Sequence, residues 1–227
     1  MTKTKIEWAD YTWNPVWGCL NDCRYCYAKK IAHRFGKDFS PHWVESNWLK
    51  PFPKDAKRVF VNSMSDIMYW EDGWWNKVMQ VINDSPDIDF IFLTKGGTSA
   101  YPERIFFPNN CILGFTATEP KLLIGDEEMR LFTNRLDSGS PRTMLNLEPL
   151  ISSFAAVNGF ALAYYDWLIV GAETGNSKGV VVPKYSWYEK MLSVARVMEI
   201  PAFVKPSLKD ITPEHVYRQQ FPWRNNA

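Results

Sequence analysis

No stretch of about 18 consecutive apolar residues occurs in this sequence, which excludes a hydrophobic membrane-spanning helix. The opening residues, MTKTKIEWAD, contain no apolar signal-type segment, so the expected location is the cytoplasm, with no membrane partner. Charge of one sign is missing too. Twenty-six Lys and Arg against 25 Asp and Glu leave a net +1. That excludes a global field toward nucleic acid or membrane and leaves any polyanion to a local patch. Linkers, low-complexity tracts and internal repeats are absent, so the 227 residues read as one domain, 1–227. Cysteine is scarce, at four. In a reducing compartment, clustered cysteines read as metal ligands rather than disulfides.

Aromatic residues, in contrast, are plentiful: 11 Trp, 10 Tyr and 14 Phe. Many must be core. Trp70, Trp74 and Trp75, which flank a turn at 71–73, have two readings: caps on the rim of the fold, or stacking surfaces for a nucleic-acid base.

Periodicity gives apolar strands alternating with helices, the pattern of βα units and a parallel sheet. Strands are predicted at 58–62 (RVFVN), 89–94 (DFIFLT), 111–116 (CILGFT), 142–147 (RTMLNL), 167–171 (WLIVG) and 202–204 (AFV). Helices are predicted at 27–35, 74–82, 126–136 and 186–198. Each strand runs out into a polar or charged residue: Asp66, Lys95, Glu119, Glu148, Glu173 and Lys205. In barrels of βα units the loops at the carboxyl ends of the strands carry the chemistry, so these six residues are expected to share one site. Taken singly, each is equally a solvated strand-end charge. His42 and His215 read as surface or capping residues rather than acid–base groups.

Cys19, Cys23 and Cys26 lie inside the eight residues CLNDCRYC. A structural zinc site is normally closed by four ligands, so three thiolates need another. His33, seven residues past Cys26 on a predicted helix, stands about 10 Å along the axis, too far for one ion. Cys111 opens a predicted strand and reads as a small buried hydrophobe. An iron–sulfur cluster fits better, because thiolates are its standard ligands and a cubane held by three cysteines leaves one iron without a protein ligand. A zinc-stabilised nucleic-acid-binding module stays open as an alternative.

The C-x3-C-x2-C spacing, with Tyr25 just before its last cysteine, resembles the radical S-adenosylmethionine superfamily. The chain also resembles a phage-associated family of short proteins of that type. That likeness runs through KIEW (5–8), WNPV (13–16), VNSMSD (61–66), LTK (93–95), LNLEPL (145–150), DWLIVGAETG (166–175) and PAFVK (201–205). It departs in a shorter gap between the first two cysteines and in Ala172 where a glycine is usual.

What the resemblance implies is a partial (β/α)6 TIM-like barrel of the α/β class, with a 4Fe-4S cluster on Cys19, Cys23 and Cys26. S-adenosylmethionine would meet Tyr25, Asn62, Ser63, Ser65, Asp66, Thr116, Glu119 and Gly171. Lys95, Glu148, Glu173 and Lys205 would serve catalysis, and Trp70, Trp74 and Trp75 a flipped base. The implied substrate is a modified thymine in DNA, whose amino-acid adduct is isomerised from N-linked to C-linked. The rival is a DNA lesion lyase of the spore-photoproduct type. A monomer fed by an external flavodoxin- or ferredoxin-type reductant is expected, in the host cytoplasm if phage-encoded. The basic and aromatic tail 218–224 either contacts DNA or docks on the fold.

Overall fold

The computed structural model describes residues 1–136, 141–174 and 179–222. Two compact units divide the chain: residues 1–113 with 137–141, and residues 114–136 with 142–227.

In the first unit, β1 (Thr2–Lys3) pairs antiparallel with β2 (Tyr11–Thr12). A two-residue β3 (Val16–Trp17) leads into the cysteine loop and α1 (Tyr27–Arg34). The chain returns through β4 (His42–Trp43), antiparallel to β3, and a single-turn α2 (Glu45–Trp48). β5 (Arg58–Phe60) lies parallel to β2, and after α3 (Asp72–Asn83) β6 (Asp89–Thr94) lies parallel to β5. The registers Thr12 opposite Phe60 and Phe60 opposite Ile91 bring the carboxyl ends of the three strands to one edge. The core is aromatic: Trp75 packs against Trp70, Phe92 and Phe107 with centroids 4.9, 5.7 and 5.7 Å apart. Such pairs add about 0.5–1.5 kcal/mol each beyond the area they bury.

β7 (Cys111–Thr116) carries the chain into the second unit, where α4 (Asp126–Arg135), β8 (Arg142–Leu147), β9 (Trp167–Val170), α5 (Glu189–Val197) and β10 (Ala202–Val204) follow. β8, β9 and β10 are consecutive parallel neighbours. Every residue of β9 and β10 is buried. This explains the continuous apolar runs WLIV and AFV in place of an alternating pattern. Residues 218–221 dock on this sheet, with Gln219 bridged to Phe203 and Phe221 packed on Trp167 at 5.9 Å. Trp223 and Arg224 lie outside the described residues.

The predicted strands at 89–94, 111–116, 142–147 and 202–204 match to the residue. The α/β class therefore stands, with parallel sheet and interspersed helices. The alternation is incomplete: short 3-10 turns at Thr98–Ala100 and Gly159–Tyr164 replace α-helices after β6 and β8. Pro102 and Pro108 in the first connection, and Pro149 and Gly159 in the second, interrupt any helical run.

Candidate functional site

Gly18 sets the cysteine loop. Its φ is +96°, and a Cβ there would fall 2.0 Å from the Ser40 carbonyl oxygen, so only glycine fits. Its amide donates to Met64 O at 3.0 Å and it bridges Ser65, which joins the loop to the segment leaving β5. Beyond the loop, Cys26 is the N-cap of α1, its sulfur accepting from the Lys29 amide at 3.3 Å. Cys19 Sγ accepts from the Asn21 amide at 3.4 Å. All three thiols are part-exposed and none is in a disulfide. Burial pushes the Cys19 thiol up to about 11, and the charges of Asp66, Cys26 and Cys23 add to the rise. A bound metal reverses that balance, because coordination deprotonates a thiol outright.

These residues fit an iron–sulfur cluster. Three thiols lie on one loop, and two of them already take backbone N–H bonds of the kind that stabilise sulfur carrying negative charge. Among the described residues, no three His, Cys, Asp or Glu side chains form a group able to hold one metal ion. A cubane does not require that convergence, since each thiolate takes its own iron.

Behind the loop stands Asp66, 5% exposed. Its carboxylate accepts from Asn21 Nδ2 (2.8 Å), Thr94 Oγ1 (2.6 Å), the Lys95 amide (3.0 Å) and the Met68 amide (3.1 Å). Asn21 Oδ1 in turn accepts from Tyr69 Oη at 2.8 Å. Asp66 thus ties the middle of C-x3-C to the ends of β5 and β6. Its neighbours are similarly engaged. Asn62 holds the Leu93 backbone through Nδ2 (2.6 Å) and Oδ1 (3.0 Å). Ser63 Oγ donates to Asn14 Oδ1 at 3.1 Å, and Ser65 Oγ accepts from Trp70 Nε1 at 3.1 Å. Lys95 Nζ lies 5.8 Å from the Tyr25 ring centroid, over the cysteine loop.

The tryptophan expectation needs correction. Trp70 and Trp75 are 7% and 1% exposed, and their rings are committed to the aromatic core: α3 turns Trp75 inward, and Trp70, just before that helix, packs on it at 4.9 Å. Neither can stack on a base. Trp74, on the next helical position, is part-exposed.

In the second unit, Lys205 Nζ donates to Glu148 Oε1 at 2.5 Å, with side-chain exposures of 12% and 20%. Gly171 lies against both: a Cβ there would come 2.9 Å from Glu148 Cδ and from Lys205 Cδ. Glu173 is buried and receives the Val181 amide at 3.5 Å. Thr116 is buried at the end of β7, while Glu119 pairs with exposed Lys121 at 3.1 Å. Buried Asn146 has an Oδ1 with no hydrogen-bond partner. The Ala117 amide reaches its backbone oxygen at 3.0 Å, so Thr116 and Asn146 stand near one another.

Sequence reasoning missed Gly18, Asn14, Asn21, Tyr69, Thr94 and Asn146. Gly18 carried a signal, since a glycine directly before Cys19 marks a close backbone approach, and Asn14, Thr94 and Asn146 lie inside the stretches WNPV, LTK and LNLEPL that carry the resemblance; Asn21 and Tyr69 carried none.

Residues 3–210 match the family described as "Protein of unknown function (DUF5131)". A search of curated proteins by sequence finds no match. Among solved structures, the chain is similar to a cysteine-to-serine mutant of spore photoproduct lyase, with TM-score 0.62 and 11% identity over 89% of this chain and 77% of that one. It is also similar to spore photoproduct lyase complexed with dinucleoside spore photoproduct, with TM-score 0.60, the same identity and the same coverage. At that identity the likeness speaks for the fold.

Proposed function

We propose a function for this chain, which belongs to the DUF5131 family: it is a radical S-adenosylmethionine enzyme that acts on a thymine-derived base in DNA. The observation that carries this reading is the loop of three thiols, set by Gly18 after the first strands of a parallel α/β fold and capping α1 through Cys26. A 4Fe-4S cluster on Cys19, Cys23 and Cys26 would leave one iron for S-adenosylmethionine and supply one-electron cleavage of its sulfonium to a 5′-deoxyadenosyl radical.

The chain's own residues have these proposed parts. Asp66, whose four acceptor positions are filled, and Asn62 hold the loop and the strand ends in place, and the hydroxyl oxygens of Ser63 and Ser65, each with a lone pair to spare, are assigned to the methionyl ammonium. Lys95, a cation beside Tyr25, binds a carboxylate, either methionyl or that of an amino-acid adduct. In the second unit, Thr116, Glu119 and Gly171 are assigned to the adenosyl group. The Glu148–Lys205 pair and Glu173 are assigned to polar groups of the substrate. Trp74 is the base-stacking candidate that remains.

The reaction assigned first is isomerisation of an amino-acid adduct on thymine from N-linked to C-linked, which needs a cation for the adduct's carboxylate, and Lys95 supplies it. Lesion cleavage is the second reading, favoured by the likeness to spore photoproduct lyase structures.

Anaerobic reconstitution tests the enzyme class. About four irons and four sulfides per chain, with reductive cleavage of S-adenosylmethionine to 5′-deoxyadenosine, are expected, and both should be lost in Cys23→Ala. One zinc without sulfide, or a Cys23→Ala variant that keeps both properties, overturns it. Incubation with DNA carrying an amino-acid-modified thymine, or with spore-photoproduct DNA, separates the two reactions. The first gives an isomer of unchanged mass, the second a pair of thymines.

A further inference from the structure

The segment 24–37 (RYCYAKKIAHRFGK) holds five Lys and Arg and no acidic residue, in a chain whose net charge is +1. It begins inside the cysteine loop and runs along α1. The helix buries Ala28 and Ala32. On the other side it exposes Tyr27 (51%), Ile31 (37%) and, just past its end, Phe35 (69%). Tyr27, Ile31 and Arg34 fall on one helical face, with Lys30 at its edge. Tyr27 Oη donates to Ser63 O at 2.6 Å, which anchors this face against the segment after β5. Large apolar side chains left in water together beside the cations Lys30 and Arg34 mark an interaction surface, on which the neighbouring exposed carboxylates are Asp22, paired with Lys29, and Asp38.

We propose that this face docks an acidic electron-carrier protein, one whose carboxylates surround an apolar edge of its redox group. The proposal rests on the cluster reading above. Complementary charge selects the partner: the cations of 24–37 steer a carboxylate-rich surface, and the apolar stripe packs against the carrier's apolar edge. Position selects the task, because Cys26 is both the cap of this helix and a cluster ligand, so a carrier seated on α1 lies beside the thiolate. The transfer is simple in balance: the carrier is oxidised by one electron, the group on the thiolates is reduced by one, and no bond forms or breaks. DNA is the poorer occupant, since the exposed Tyr27, Ile31 and Phe35 side chains would face phosphates.

The test uses the full reconstituted chain and a reduced flavodoxin as probe, with dithionite as the small-molecule control. In Ile31→Glu/Arg34→Glu, flavodoxin binding and flavodoxin-driven cluster reduction should both fall about tenfold or more. In wild type they should weaken with added salt. Dithionite-driven reduction and S-adenosylmethionine cleavage should stay as in wild type. Flavodoxin-driven reduction at the wild-type rate in the variant overturns the proposal. So does duplex DNA that binds wild type more tightly than flavodoxin and loses that binding in the variant. Flavodoxin binding to the untreated chain separates the two readings. Binding that depends on Ile31 and Arg34 in a chain that never takes up iron removes the proposed function and leaves the surface. Normal dithionite chemistry without flavodoxin binding removes the surface alone.

Discussion

Asn21 Nδ2 donates to Asp66 Oδ2 at 2.8 Å, a bond that joins the middle of the cysteine loop to a carboxylate 45 positions away. Four donors converge on Asp66. Asp66→Ala strands them in a buried place and is expected to cost about 3 kcal/mol or more. Asn21→Ala removes one link and should cost about 1–2 kcal/mol. Iron retention against a chelator, measured beside denaturant unfolding, should fall in both variants.

The four cysteines divide by environment. Cys111 is fully buried in β7 and its thiol is held strongly protonated by desolvation. Cys111→Ala should cost about 1 kcal/mol in unfolding experiments, from a small cavity, and leave iron content unchanged. Cys19→Ala, Cys23→Ala and Cys26→Ala should lower iron content.

Adjacent tryptophans should separate in the same way. Trp75→Ala empties the aromatic core of the first unit and should destabilise by about 3–5 kcal/mol. Trp74→Ala should shift stability by no more than about 0.5 kcal/mol. If Trp74 meets a base, its substitution weakens DNA binding in a titration while the melting curve stays put.

The Lys205–Glu148 pair is largely shielded, so single substitutions should be costly. Lys205→Met leaves a mostly buried carboxylate without its cation, at about 3 kcal/mol. Lys205→Met with Glu148→Gln should recover at least about 1 kcal/mol of that, which a double-mutant cycle measures. Gly171→Ala should disturb the same pair, since the added methyl meets both side chains.

Acid should unfold the chain partly through Asp10. Burial raises its carboxyl, but hydrogen bonds and charge from Arg58, 2.6 Å away, outweigh that and hold it below the usual carboxylate range. A depressed folded value stabilises above the unfolded value of about 3.9 and is lost as pH falls through the folded value. Asp10→Asn should therefore melt below wild type near neutrality, with the gap closing as pH drops below about 4. Thermal melts across that range check it.

Local pattern was enough for much of this protein. Uninterrupted apolar runs gave most of the parallel strands, because a strand buried on both faces needs no alternation. Three thiols within eight residues marked the cysteine loop, because ligand spacing on a loop is a property of the chain itself. Tertiary structure alone decided which strand-end polar groups are already satisfied. Asp66, Asn62 and Ser65 were expected to meet a ligand, yet they already have partners: Leu93 and Thr94 brought by strand register, Asn21 by the fold of the cysteine loop, and Trp70 by the local turn after Asp66. It also decided that Trp75 is core and Trp74 is not. Neighbouring positions on a helix diverge by about 100°, and only packing settles which direction is inward.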